Sequence, residues 1–398
     1  FASMISISGS AYTYGYATMG ELVAWIIGWD LVLEYLFGAS TVAVGWSGYV
    51  VSFLADFGIH LPAAICQGPF PDGWYMTGAI INFPAVFIVV ATTTLLVIGI
   101  KESAKFNNII VLIKVIVILL FVGFGISYIN PGNWQPFIPE NTGTWGEFGW
   151  SGVLAGAAVV FFAYVGFDAV STTSQEAINP KRDMPIGILG TLLICTILYV
   201  AVGLVLTGVV NYKELNVAAP IAVAIDNAGQ SLFWLRPIVK IGAIAGLSSV
   251  VLVLLLGQSR VFYTMAKDGL LWGNLSKTHS KFKTPHITTI IIGIAAGILA
   301  GLFPIDMLGH MVSIGTLLAF VIVCIGIVIL RKKEPDAPRA FKTPWVPFVP
   351  ILGAICCLAL MASLPLDAWI RLISWMAIGL VIYFLYGCRH SHARKMPD

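Results

Sequence analysis

Charge is the scarcest commodity in this sequence. Of 398 residues only 10% are Asp, Glu, Lys or Arg, against about a quarter in soluble domains. A surface so poor in charge cannot stay in water, which excludes an ordinary soluble enzyme. A content of 58% hydrophobic residues likewise excludes a disordered chain. The net charge of +3 is too small to argue for nucleic acid, so no such partner is expected. The six cysteines (Cys66, Cys195, Cys324, Cys356, Cys357 and Cys388) show no CxxC or metal spacing. Most lie in apolar runs, where a thiol is a small hydrophobe. No Gly-Lys pair occurs, so there is no Walker A loop, and GxSxG, HExxH and the Rossmann glycine fingerprint are missing too. His390 and His392 fall in the tail, where they read as solvated. No catalytic pair, cofactor or metal is expected, which leaves a transporter, a channel or a scaffold.

What the sequence does have is apolar runs. A helix crosses the hydrocarbon with about 20 apolar residues. Ten such stretches occur, near 22–54, 79–100, 106–130, 152–174, 185–210, 237–259, 286–304, 311–330, 347–365 and 368–388. Alternating barrel strands are absent, so the spans are read as helices. Seventeen of the 22 Lys and Arg fall in one set of loops, among them Lys181, Arg182, Lys281 and Lys333; only Lys213, Arg236 and Arg371 fall in the other. The positive-inside rule then puts both ends in the cytoplasm of a multi-pass protein. Residues 1–19 carry neither a signal nor a transit peptide, and Phe1 is not an initiator, so the chain is expected to begin inside a longer product. Loops are short, and residues 1–398 read as one transmembrane domain.

Polar groups inside apolar spans are the informative residues, because charge at membrane depth is costly. Lys114 lies about two turns into its span. A desolvated ammonium there can exchange a proton at physiological pH; the alternative is a stem that snorkels to the interface. Asp30 and Glu34, four apart, share one helical face. They serve either a buried structural interaction or substrate contact. Glu21 and Asp56 sit at span ends and are expected to be solvated. In Val159–Val170, Gly166 beside Asp168 can interrupt the helix and expose backbone groups; a continuous helix with a packed glycine is the other reading. The spacings Gly152/Gly156, Gly242/Gly246 and Gly293/Gly297/Gly301 predict close helix packing.

Several runs resemble one family. They are Gly20–Tyr35 with its Gly28-Trp29-Asp30-Leu31-Val32-Leu33-Glu34 core, Phe161–Asp168, Asn179–Pro185, Gly257–Tyr263, Lys267–Leu271 and Ser313–Phe320. In this order they are similar to the cationic amino acid transporter (CAT) family of the amino acid–polyamine–organocation superfamily. The resemblance implies an all-α, LeuT-type inverted-repeat bundle. The ten spans would be helices three to twelve of twelve, the second repeat near 150–330 and two extra helices near 347–388. Helices one and two would be missing, and the 398-residue chain alone would then not transport.

The resemblance also implies roles. Carbonyls of Phe162, Ala163 and Val165, around Gly166, would hold the substrate's amino group. Tyr164 and Phe167 would line or gate the pocket, Glu34 would tune side-chain preference, and Leu247 would form an apolar floor favouring small neutral amino acids. Lys114 would couple transport to protons. Asp168 and Asp30 would be structural or gating residues. The function implied is proton-coupled amino-acid import across the cell membrane. Sodium-coupled or exchange transport, or a transport-dead fragment, is the alternative. A channel would need a continuous polar lining, and the spans offer isolated charges instead. The expected partners are an amino acid, protons and the lipid bilayer; a small membrane-protein partner stays open.

Overall fold

The computed structural model of the chain describes residues 12, 15, 16, 19–70, 78–99, 104–167, 179–217, 219–229, 232–336, 339 and 341–391. Among them there is no strand. The main helices are α1 (Glu21–Ala55), α2 (Phe83–Ile98), α3 (Ala104–Gly125), α4 (Gly149–Val160) and α5 (Pro180–Val209). After these come α6 (Pro220–Asn227), α7 (Leu235–Lys267), α8 (His286–Leu302), α9 (Ile305–Lys333), α10 (Phe348–Ser363) and α11 (Leu366–Ile382). Six are long and apolar enough to cross a membrane and four more are shorter apolar helices, matching the ten predicted stretches. The short α6 is an addition that hydropathy did not show.

α1 is the centre. At 1.5 Å per residue its 35 residues span about 50 Å, longer than the hydrocarbon, which calls for tilt. Its apolar window is 78% buried, whereas that of α5 is 6% buried and dominated by exposed Ile and Leu. α7 packs antiparallel along α1 through glycines. A Cβ on Gly28 would meet the Met265 sulfur at 2.7 Å, one on Gly38 would meet Leu254 at 3.3 Å, and one on Gly257 would touch the Tyr35 ring at 3.7 Å. The predicted small-residue seams hold at two places. A Cβ on Gly293 or Gly301 would run into Thr93 or Val86 of α2, and one on Gly242 into Val117 of α3. Gly156 meets nothing within 4 Å, so the Gly152/Gly156 spacing serves no such seam among the described residues.

Both span-end carboxylates differ from expectation. Asp56, at the end of α1, accepts from the Lys240 ammonium at 2.8 Å and from Arg236 at 2.7 Å, and Arg236 also pairs with Asp226 of α6 at 2.7 Å. The Lys240 side chain is 0% exposed. A fully buried ammonium needs a carboxylate beside it, and Asp56 is that partner rather than a solvated cap. At the other end of α1, Glu21 accepts from Tyr383 at 2.8 Å and from Ser391.

Candidate functional site

The predicted interruption in the fourth span is there. α4 stops at Val160, tightens into a 3₁₀ turn over Phe161–Tyr164, and leaves helical geometry at Val165 (ψ 131°). Gly166 follows at φ +106°, a conformation that costs glycine nothing and a residue with a Cβ a good deal. The backbone pairs locally: the Val165 N–H donates to the Phe162 carbonyl at 3.0 Å and the Phe167 N–H to the Tyr164 carbonyl at 3.3 Å. Phe320 of α9 packs on both sides of the interruption, against Phe161 at 5.7 Å and Phe167 at 5.2 Å between centroids. Asp168 lies outside the described residues.

The interrupted stretch forms one side of a cavity of about 420 Å³, lined by Ala163 to Phe167, by Lys114 and Val111 of α3, by a face of α5, and by Ser249, Val250, Val253 and Leu254 of α7. This size suits a small organic ligand. Lys114 points inward. Its stem passes Gly246, where a Cβ would sit 3.5 Å away, and its ammonium donates to Ser249 Oγ at 2.5 Å. Ser249 donates onward to the Gly246 carbonyl at 3.0 Å. Lys114 is thus held by a neutral hydroxyl in a mainly apolar cavity.

Other predicted residues are elsewhere. Glu34 and Asp30 are buried in α1 at 2% and 1% exposure and line no part of this cavity. Asp30 Oδ1 faces Gly315 of α9, 3.3 Å from where a Cβ would stand. Leu247 packs with Ile244 beside Tyr49, Ala219 and Ala222, about one turn along α7 from Val250 of the cavity wall.

Sequence reasoning missed Ser249 and the whole α5 wall. Tyr199 of α5 donates to the Ala163 carbonyl at 2.5 Å, and Tyr164 bonds Thr196 at 2.8 Å. Thr196 gives its own proton to the Leu192 carbonyl at 2.7 Å, so Tyr164 is the donor. The spacing Thr191, Cys195, Tyr199 at i, i+4, i+8 was the available signal, since it sets one polar stripe on one helical face.

Comparison with known proteins fits this geometry. The family profile described as "Amino acid permease" matches residues 1–385. The chain is 48% identical over 392 residues to the "Branched-chain amino acid permease BcaP" of Bacillus subtilis (strain 168), covering 98% of this chain and 82% of that protein. It is 47% identical over 395 residues to the "Methylthioribose transporter" of the same organism, covering 99% and 83%. It is 37% identical over 336 residues to "Cationic amino acid transporter 4, vacuolar" of Arabidopsis thaliana, covering 84% and 54%. The chain belongs to the amino acid permease family of the amino acid–polyamine–organocation superfamily, and is a multi-pass membrane transporter of amino acids rather than an enzyme.

Proposed function

We propose that this protein imports neutral amino acids, branched-chain ones foremost, together with protons, by alternating access around the interruption at 162–168. The observation that carries the reading is one shared cavity. Lys114, Ser249 and the interrupted stretch of α4 all line it, so a proton on the ammonium and an amino acid on the backbone would act on one set of walls. Carbonyls of Phe162, Ala163 and Val165 would take the substrate's amino group, with Gly166 supplying the turn, and Tyr164 and Phe167 would gate the pocket. Glu34 would tune side-chain preference from behind, Leu247 would form the floor once substrate is seated, and Asp30 and Asp168 would serve in structure or gating. The branched-chain preference is supported by the name of the relative that is 48% identical and by the apolar lining from Val111, Leu192, Val250, Val253 and Leu254.

The organisation that goes with this function is an inverted repeat whose second half runs near 150–330, followed by two added helices near 347–388. The membrane is the plasma membrane, with both termini of the chain cytoplasmic; the excess of Lys and Arg in one set of loops supports that orientation. Coupling follows if Lys114 meets different partners in the two states, because a ligand shifts an equilibrium only through differential affinity.

Uptake into proteoliposomes tests the reading. In the full-length protein an inward pH gradient drives leucine accumulation, and Lys114→Ala abolishes that drive while leaving exchange measurable. Gradient-driven uptake that persists in Lys114→Ala refutes proton coupling through this residue. Accumulation that follows a sodium gradient instead establishes the sodium-coupled alternative. The relative named as a methylthioribose transporter, at 47% identity, favours a second substrate reading, and methylthioribose competing better than leucine would establish it.

A further inference from the structure

Apart from the apolar side chain of Leu192, the α5 wall of the cavity has no role in the function proposed so far. Tyr199 reaches from it to the Ala163 carbonyl at 2.5 Å. Its ring meets the Tyr164 ring edge-on, at 5.2 Å and 81°, and Tyr164 is tied back to α5 through Thr196. α5 therefore grips the interrupted stretch by two hydroxyls, one of them on a main-chain acceptor.

Among the described residues no backbone N–H outside the helices reaches that acceptor, because of the interruption. In a continuous helix the Ala163 carbonyl would receive the N–H four residues on, from Phe167. The Phe167 N–H goes to Tyr164 instead. A carbonyl facing apolar surroundings without a donor is costly, and the Tyr199 hydroxyl supplies the donor. Phenylalanine would fill the same ring volume and leave the carbonyl unmet. The ammonium of an amino acid seeks this kind of acceptor.

We infer that Tyr199 is a self-capping residue of the substrate site, its hydroxyl holding the Ala163 carbonyl until a substrate ammonium takes it. The inference rests on the proposal that carbonyls of the interrupted stretch receive the ammonium. Tyr199 is then a positioning residue: it preserves the shape of the acceptor, and its displacement tells α5 that the site is filled. It also lowers the apparent affinity for every amino acid alike, because each must first displace it.

Equilibrium binding to the purified protein tests this. Leucine, alanine and arginine are each paired with the analogue lacking the amino group: 4-methylpentanoate, propanoate and 5-guanidinopentanoate. The parent, Tyr199→Phe and Tyr199→Met are compared on the amino acid that the parent binds most tightly. The parent is expected to bind it and reject its analogue. Both variants are expected to bind it about threefold to tenfold more tightly, the size of one competing hydrogen bond. Either variant suffices if the other does not fold. Damage to folding or packing weakens binding, so a gain has no such explanation. Unchanged or weaker binding in the variants overturns the inference, and the ammonium proposal still stands if the parent rejects the analogue. A parent that binds analogue and amino acid equally overturns the ammonium proposal and the inference with it.

Discussion

Trp29 of α1 and Trp375 of α11 donate to each other's backbone. The Trp29 indole N–H reaches the Trp375 carbonyl at 2.9 Å, and the Trp375 indole reaches the Trp29 carbonyl at 3.2 Å, with the rings stacked at 4.6 Å. Trp25 extends the contact by donating to the Gly379 carbonyl at 3.0 Å. Trp375→Phe keeps a ring and removes one donor, so it is expected to cost about 1 kcal/mol. Trp375→Ala removes the stack as well and should cost about 3–5 kcal/mol. Thermal unfolding in detergent should rank parent, Phe and Ala in that order.

Lys240 makes a sharper case. Asp56→Asn leaves an ammonium of 0% exposure without its carboxylate, and removing one member of a buried pair costs about 3–5 kcal/mol. The double variant Asp56→Asn/Lys240→Met removes the stranded charge and should recover most of the loss. A double variant no more stable than Asp56→Asn would mean that Lys240 is not the group being stabilised.

The α3–α7 seam separates two neighbouring glycines. A Cβ on Gly242 would lie 2.8 Å from Val117, whereas one on Gly246 would sit 3.5 Å from the Lys114 stem. Valine is stiff at χ1, so Gly242→Ala must push α3 away and should cost about 1–3 kcal/mol. It should also loosen the Lys114–Ser249 contact and lower gradient-driven uptake. Gly246→Ala makes an ordinary contact, and its uptake and melting temperature should match the parent's.

Leu247→Ser tests the proposed floor. Each methylene lost from contact is worth about 0.8 kcal/mol, so small apolar substrates should bind less well and arginine should compete better. A competition profile across alanine, leucine and arginine identical to the parent's would leave Leu247 as packing against Tyr49 only.

Asp226 gives a pH dependence. Burial pushes its carboxyl above the ordinary carboxylate value, with Lys240 and Arg236 pulling it back. A raised carboxyl binds its proton more tightly in the folded state. Its contribution to stability is therefore present at low pH and declines as pH climbs from the unfolded value, about 3.9, through the higher folded one. Asp226→Asn cannot ionise, so its melting temperature should fall less than the parent's over that rise. The side chain is 35% exposed, which keeps the effect small. Parallel profiles would show that Asp226 does not titrate differently on folding.

The ten spans were legible because hydropathy is local: twenty apolar residues need no knowledge of their neighbours. The interruption at Gly166 was half legible, since a glycine beside an acid permits a break without requiring one. Cross-helix partners were not legible. Asp56 reads as solvated until Lys240, 184 residues away, is placed beside it. The inward aim of Lys114 depends on Gly246 leaving room for its stem, and one sequence does not say which helices are neighbours. The α5 wall escaped notice because a tyrosine in an apolar span has nothing local to mark its hydroxyl's target.

The glycine seam between α2 and α8 bears on which parts can slide. A ratchet past one helical turn needs a second register of similar energy. Here Thr93 lies over Gly293, Val89 over Gly297, and Val86, with Ile81 from just before α2, over Gly301, so each of these three bulges on α2 has a notch cut for it. A slip of one residue would set Thr93 against Ile292 or Ile294, Val89 against Ala296 or Ile298, and Val86 against Ala300 or Leu302. The seam is keyed against a one-residue slip, whereas a slip of a full turn would carry Thr93 to Gly297 and Val89 to Gly301. The contacts of α5 with the interrupted stretch are two hydroxyls on oxygen acceptors and the edge-on Tyr164–Tyr199 ring pair. Neither hydroxyl contact seats a side chain in a glycine notch, so this wall lacks the key that the α2–α8 seam has.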